Sequence, residues 1–141
     1  MNSILVPLDT SDAAAAAIAP AMELAGALGH PLLLLAVGDV VVVNAMRPVM
    51  DSERITAEQA LESYLGHHAR SLEGRGVDIE TLVIEALDPA AAIADTAASQ
   101  GSSMIVMSSH GRTGAARWLL GSTADRVIRS SHVPIHLVPV R

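Results

Sequence analysis

Between residues 108 and 123 the chain runs Ser108-Ser109-His110-Gly111-Arg112-Thr113-Gly114 and later Gly121-Ser122-Thr123. Small and polar residues between a strand and a helix suit one task above others. Their backbone N–H groups can approach a phosphate closely, and the helix N-terminus adds a positive end. Nine residues separate Gly111 from Gly121, too many for one tight turn and suited to a loop wrapping a triphosphate. Arg112 offers a guanidinium to the same anion, and Ser122 or Thr123 is placed to cap the helix that follows.

One absence narrows the chemistry. All nine basic residues are arginines and none is lysine. A P-loop requires the lysine that reaches the β- and γ-phosphates, so that mode of binding is excluded, as is a lysine Schiff base. Ser109, Asp125 and His132 follow the chain order of a hydrolase triad. However, Met107 stands where a nucleophile elbow needs glycine, and Asp125 and His132 share one short segment. Asp9-Thr10-Ser11 occupies the turn where a dinucleotide site would carry its glycines. His67 and His68, adjacent on a helix, point about 100° apart and cannot chelate one ion. His30, His132 and His136 are scattered, so no protein-only metal site is expected.

With no cysteine the chain has no disulfide and no thiolate ligand. A net charge of −6 without a basic run argues against nucleic acid as a partner. No apolar run approaches the roughly 20 residues that span a bilayer. The N-terminus lacks a basic n-region and reaches Asp9 early, so a cytoplasmic protein, not bound to membrane, is expected.

The elements that must position these residues alternate. Ile4–Leu8 reads as a buried strand ending at Asp9, and Thr10 or Ser11 caps a helix to about Leu28, kinked at Pro20. Gly29 and Pro31 stop it. Leu32–Val37 is apolar throughout, as in a strand covered on both faces. After the Val40–Val43 run, which suits a strand extension, a lid or a subunit contact, a helix starts at Asp51 or Ser52. Its Ala57, Leu61, Leu65, His68 and Leu72 share a face. Ile79–Ala86 alternates like an edge strand, and Asp88-Pro89 opens a helix. Met104–Met107, a helix over Ala124–Ser131 and a strand over Ile135–Val140 complete the series. This βαβαβαβαβ order predicts an α/β fold: one domain over residues 1–141, with a mostly parallel five-stranded sheet and helices on both faces. The strand ends at Asp9, Val37-Gly38 and Met107-Ser108 should then meet in one crevice.

Ile4-Leu5-Val6-Pro7-Leu8-Asp9-Thr10-Ser11, Ile105 through Gly114, Leu119-Leu120-Gly121-Ser122-Thr123 and Val133-Pro134-Ile135 together resemble the universal stress protein family over the whole chain. The resemblance implies a Rossmann-like fold of the adenine nucleotide alpha hydrolase type. Its ATP-binding branch carries Gly-x-x-Gly-x₉-Gly-Ser/Thr; Gly111 and Gly121-Ser122 match, while Ser108 replaces the first glycine. By that resemblance Pro7 and Leu8 border the base, Asp9 meets the ribose, and the backbone of Val37 bonds adenine. Met107 and Ser108 flank the ribose, with the Ser108 hydroxyl available to the ligand. Gly111, Arg112, Gly121, Ser122 and Thr123 surround the phosphates. The resemblance implies an ATP-binding stress-response regulator that is not primarily an enzyme. Any Mg²⁺ would be held mainly by the nucleotide. A homodimer would form through the last strand, Pro134 to Val140. Two alternatives stay open: a nucleotide-independent dimeric adaptor, favoured if Ser108 closes the pocket, and a slow ATPase switch.

Overall fold

Five short apolar segments form five strands because each is long enough to cross a core and too rich in Ile, Val and Leu to be left wet. In the computed structural model, which describes residues 2–39, 51–109 and 120–140, they are β1 (Ile4–Leu8), β2 (Leu32–Asp39), β3 (Ile79–Ala86), β4 (Met104–Ser108) and β5 (Ile135–Val138). All pair in parallel, in the order β3-β2-β1-β4-β5. The α/β prediction therefore holds, with every pair parallel. Every residue of central β1 is buried, whereas β3 at the edge has no fully buried residue: Glu80, Thr81 and Glu85 are exposed and its apolar residues are half-buried on both faces.

The helices are α1 (Asp12–Ala15), α2 (Ile18–Leu28), α3 (Asp51–Ser71), α4 (Pro89–Ser99) and α5 (Ser122–Ser130). Two cores result, one on each face of the sheet. Ile4, Val6 and Leu8 turn towards Ala14, Ala21 and Leu65 of the first three helices. Leu5, Leu33 and Leu35 turn towards Ile93, Ala97 and Val127 of the last two. This segregation follows from right-handed crossovers. Chain moving outward from β1 through β2 to β3 must place its helices on one face. Chain moving outward the other way through β4 to β5 must use the opposite face.

Three local expectations are corrected. The first helix is broken in two, not kinked, with the break at Ala16-Ala17, before Pro20. Proline cannot donate to the carbonyl four residues back, and its ring collides with that carbonyl, which here belongs to Ala16. Ala57 is exposed, so the buried part of its face of α3 does not reach it; Leu65 is buried there, as is Leu72 just beyond the helix end. The last strand ends at Val138, short of Val140. Gly29 closes α2 in the left-handed conformation, its φ of 69° fitting a residue without Cβ.

Candidate functional site

The geometry of the site begins with a proline. The N–H of Ile4 donates to the Pro31 carbonyl beside β2, at 2.8 Å. Alternation along the strand therefore turns even-numbered residues of β1 to β2 and odd-numbered ones to β4. Pro7 is odd and has no N–H to give to β4. The β1–β4 register runs only through Ile4↔Met104 and Leu5↔Ile105, while β1–β2 continues to Leu8↔Ala36. The two strands part at their carboxyl ends, at the point where strand order reverses, which is where open α/β sheets bind ligands.

A cavity of about 310 Å³ occupies this gap. Pro7, Leu8 and Asp9 reach it from β1, Val37 from β2, and Met107 and Ser108 from β4. Gly121, Ser122 and Thr123 reach it from the start of α5. Nine of the residues singled out in the sequence thus share one wall. Gly111 and Arg112 lie outside the described residues, as do His110, Gly114 and the Val40–Val43 run. Thr10, Leu61, Pro89 and Ile93 also line the cavity and were not anticipated there. Leu61 reads in sequence as one of the residues sharing a helix face, and Pro89 as a helix opener. No pattern in the chain distinguishes an apolar residue at the rim of a core from one at its centre.

Asp9 organises the loop after β1. Its Oδ1 accepts the N–H of Ser11 at 3.0 Å and the Ser11 hydroxyl at 2.5 Å. Ser11 in turn accepts the Ala14 N–H at 3.0 Å as the N-cap of α1. This Asx-type turn carries Thr10 through φ 69°, a left-handed conformation that a β-branched residue adopts only under constraint. Across α3, the Tyr64 hydroxyl is buried without a hydrogen-bond partner among the described residues. Burial raises the Tyr64 ionisation above its ordinary range, and the negative charges of Asp9 and Asp12 raise it further. One turn on, His68 meets the Tyr64 ring edge-on at 4.9 Å. Burial, then the charge of His67, lowers the pKa of His68.

Two expectations about side-chain roles change. Ser108 does not hold its hydroxyl for a ligand: the group donates to the Ala13 carbonyl of α1, with the Ala14 carbonyl at 3.4 Å. Its proton is committed, so towards anything in the cavity the oxygen can only accept. Neither Ser122 nor Thr123 caps α5. Gly121 is the N-cap, with φ −61° and ψ 150° and no side-chain cap bond, and the helix begins two residues before Ala124. The Gly121 N–H donates to the Ser109 carbonyl at 2.7 Å, which ties the helix start to the end of β4. In consequence the first-turn N–H groups of Ser122, Thr123 and Ala124 have no intrahelical carbonyl to bond, and all three residues border the cavity. The side of α5 is fixed by Arg126, which pairs at 2.5 Å with Asp88, the N-cap of α4. Asp88 accepts the Ala91 N–H, and this bond, reinforced by Arg126, holds its carboxyl below the usual range despite the opposing effect of desolvation.

Among the described residues no cluster of three or more His, Asp or Glu is placed to hold a metal ion, and no helix is long and apolar enough to cross a membrane.

The family model of the universal stress protein family matches residues 1–139. Universal stress protein MJ0531 of Methanocaldococcus jannaschii is 32% identical over 142 residues, spanning 97% of this chain and 81% of the relative. Among solved structures, hypothetical protein MJ0577 superposes with a TM-score of 0.80 at 24% identity, covering 99% of this chain and 96% of the other. A universal stress protein in complex with cAMP superposes with a TM-score of 0.75 at 19% identity, over 99% and 98% of the two chains. The Archaeoglobus fulgidus universal stress protein in complex with dAMP gives 0.68 at 22% identity, over 97% of each.

Proposed function

This chain belongs to the universal stress protein family, and from that premise we propose that it binds an adenine nucleotide, ATP, in the cleft between β1 and β4. The observation that carries the reading is the gap at Pro7. It leaves a cavity at the switch point of the sheet, walled by apolar side chains at β1 and β2 and by free-ended helix N–H groups at α5. Its volume lies within the range of small-molecule sites, roughly 300–1,000 Å³. Two solved relatives of the same fold carry adenine nucleotides, cAMP and dAMP.

The residues divide by chemistry. Pro7, Leu8, Val37 and Leu61 offer an apolar berth for a base. Asp9, held by Ser11, presents a carboxylate suited to ribose hydroxyls. Gly121, Ser122 and Thr123 turn main-chain donors and a helix dipole towards phosphate, with Gly111 and Arg112 assigned to it by the family motif. Ser108 in the first motif position does not close the site, because its side chain is tied back to α1. Mg²⁺ would ride on the phosphates. Turnover is not the role: without lysine and without a base held by this wall, the site stabilises bound phosphate more than a transferring one. The protein acts in the cytoplasm as a homodimer joined at the last strand, and nucleotide occupancy is the signal a partner reads.

Protein purified without added nucleotide, denatured in acid and examined by mass spectrometry should release an adenine nucleotide. Millimolar ATP should raise Tm, since ligand at 100 times its Kd adds about 2.7 kcal/mol. Absence of both effects would favour a nucleotide-independent adaptor. Steady phosphate release above background, lost in Asp9→Ala, would establish the ATPase switch instead.

A further inference from the structure

Two helices start at the cleft, and one ion pair joins their beginnings. Pro89 and Ile93 of α4 border the cavity, as do Ser122, Thr123 and Ala124 of α5. Asp88, the N-cap of α4, directly precedes Pro89, which sets its carboxylate next to the rim. Arg126 lies one turn into α5, on the side of the helix that carries Ser122 and Thr123. Helical side chains lean towards the start of their helix. The Arg126 guanidinium is thus carried back over the first turn, where it meets Asp88.

The two oxygens of Asp88 have separate duties. Oδ1 accepts the Ala91 N–H and caps α4, while Oδ2 takes the guanidinium. Arg126 can therefore leave without uncapping the helix. Nor does α5 depend on the pair for its place: Ala124 and Val127 are buried in one core with Ala90, Ile93 and Ala97 of α4. Both charged side chains stand about half in water, at 55% and 43% exposure. An ion pair so open contributes little and is parted at little cost. Phosphate is the better partner, since it carries more charge and presents oxygens that the planar guanidinium meets in pairs. Of the other arginines whose side chains the structure describes, Arg129 is paired with Asp125 one turn further along α5. Arg70 and Arg75 lie at the end of α3 and beyond it.

We propose that Arg126 reads the phosphates of the bound nucleotide: its guanidinium exchanges the Asp88 carboxylate for the distal phosphates at the start of α5. The proposal rests on the nucleotide reading above and adds a residue that sets the class of ligand. A nucleoside polyphosphate is long enough to reach the first turn of α5 and gains the guanidinium there. A nucleoside or its monophosphate ends short of it, and Arg126 stays with Asp88. Asp88 is then more than a cap. It competes with phosphate for Arg126, so the exchange requires the greater charge of a polyphosphate. The cleft selects by phosphate number as well as by base.

Asp88→Asn separates the two duties, because asparagine caps a helix as well as aspartate does and cannot form the ion pair. The variants are compared by calorimetry with ATP, AMP and adenosine. Arg126→Gln should lower ATP affinity about tenfold, the size of one bond to a charged group, while the affinities for AMP and adenosine hold. Arg126→Lys should recover part of the loss, as a point charge without the fork. Asp88→Asn should act in the opposite direction and raise ATP affinity several-fold. A matching loss of ATP affinity in Asp88→Asn and Arg126→Gln would overturn the exchange and leave the pair a brace between helices. An unchanged ratio of ATP to adenosine affinity in Arg126→Gln would overturn the contact with phosphate. A loss of AMP affinity as large as that of ATP would overturn the selection by phosphate number. A wild-type chain that binds neither ATP nor adenosine would instead refute the nucleotide reading beneath the proposal.

Discussion

At the scale of the residue, Tyr64 is the clearest case of a side chain whose chemistry is not served by its surroundings. Its buried hydroxyl has no partner among the described residues, a cost of about 1–3 kcal/mol of desolvation, and burial, then Asp9 and Asp12, disfavour its ionisation. Tyr64→Phe removes the cost while keeping the ring against His68. The variant should be as stable as the parent or up to about 1 kcal/mol more stable in urea unfolding; a loss of that size would reveal a bond the phenol makes. Tyr64 is the only tyrosine, so its ionisation can be followed alone by ultraviolet titration, and it should come above the ordinary phenol range. Ser108 shows the limit of reading a residue by type. A small polar residue in a glycine position was legible, but the direction of its hydroxyl was not. That direction is set by the Ala13 carbonyl in α1, which accepts the hydroxyl where the helix breaks before Pro20 and the Ala17 N–H turns to Ala14 instead.

At the scale of the element, the interruption of the β1–β4 ladder is attributed to Pro7, and this can be tested by restoring the missing donor. Pro7→Ala gives β1 an N–H facing the Val106 carbonyl. A ladder bond gains about 0.5–1.5 kcal/mol, and loss of proline from the unfolded chain costs about 0.4–1, so stability should scarcely change. The cleft should narrow, with ATP affinity in calorimetry falling several-fold; unchanged affinity would show that the gap has another origin. A second element-scale test concerns the start of α4. The folded pKa of Asp88 lies below its unfolded value. Its stabilising effect is therefore complete above the unfolded pKa of about 3.9 and is lost as pH falls through the lower folded one. Asp88→Ala should lower Tm by a few degrees at neutral pH, and the gap between variant and parent should close below about pH 4. Elements were the most legible level of this chain. The strand ranges of β1 and β3, the edge position of β3 and the Asp88-Pro89 helix start follow from local pattern. The start of α5 did not, because its cap is a glycine whose capping geometry comes from the bond to Ser109, a contact no periodicity records.

At the scale of the whole molecule, strand order was the piece the sequence left open. Alternating elements imply a parallel sheet with both faces covered, yet the order β3-β2-β1-β4-β5 depends on which way each crossover turns. The convergence of Asp9, Val37 and Ser108 was predictable from their places at strand ends. That Leu61 and Ile93 would join them from opposite faces of the sheet was not, since this requires the order itself. The same order divides the molecule. One part holds β3, β2 and β1 with α1 to α3; the other holds β4 and β5 with α4 and α5. They share two rungs of β1–β4 ladder, and both cores and the Ser108–Ala13 bond run across the join below the cavity. Amide exchange by mass spectrometry should therefore find β4 less protected than β1 and β2 in protein freed of nucleotide. Added ATP should slow exchange on both sides of the gap together; slowing confined to α5 would locate the ligand elsewhere.

The shortened ladder has a mechanical meaning. Where the ladder stops, the carboxyl ends of β1 and β4 are joined below the cavity but not beside it, so anything lodged there would brace them as a rivet does. Bracing at that gap would then rise and fall with occupancy of the cavity, a consequence of one proline early in the chain.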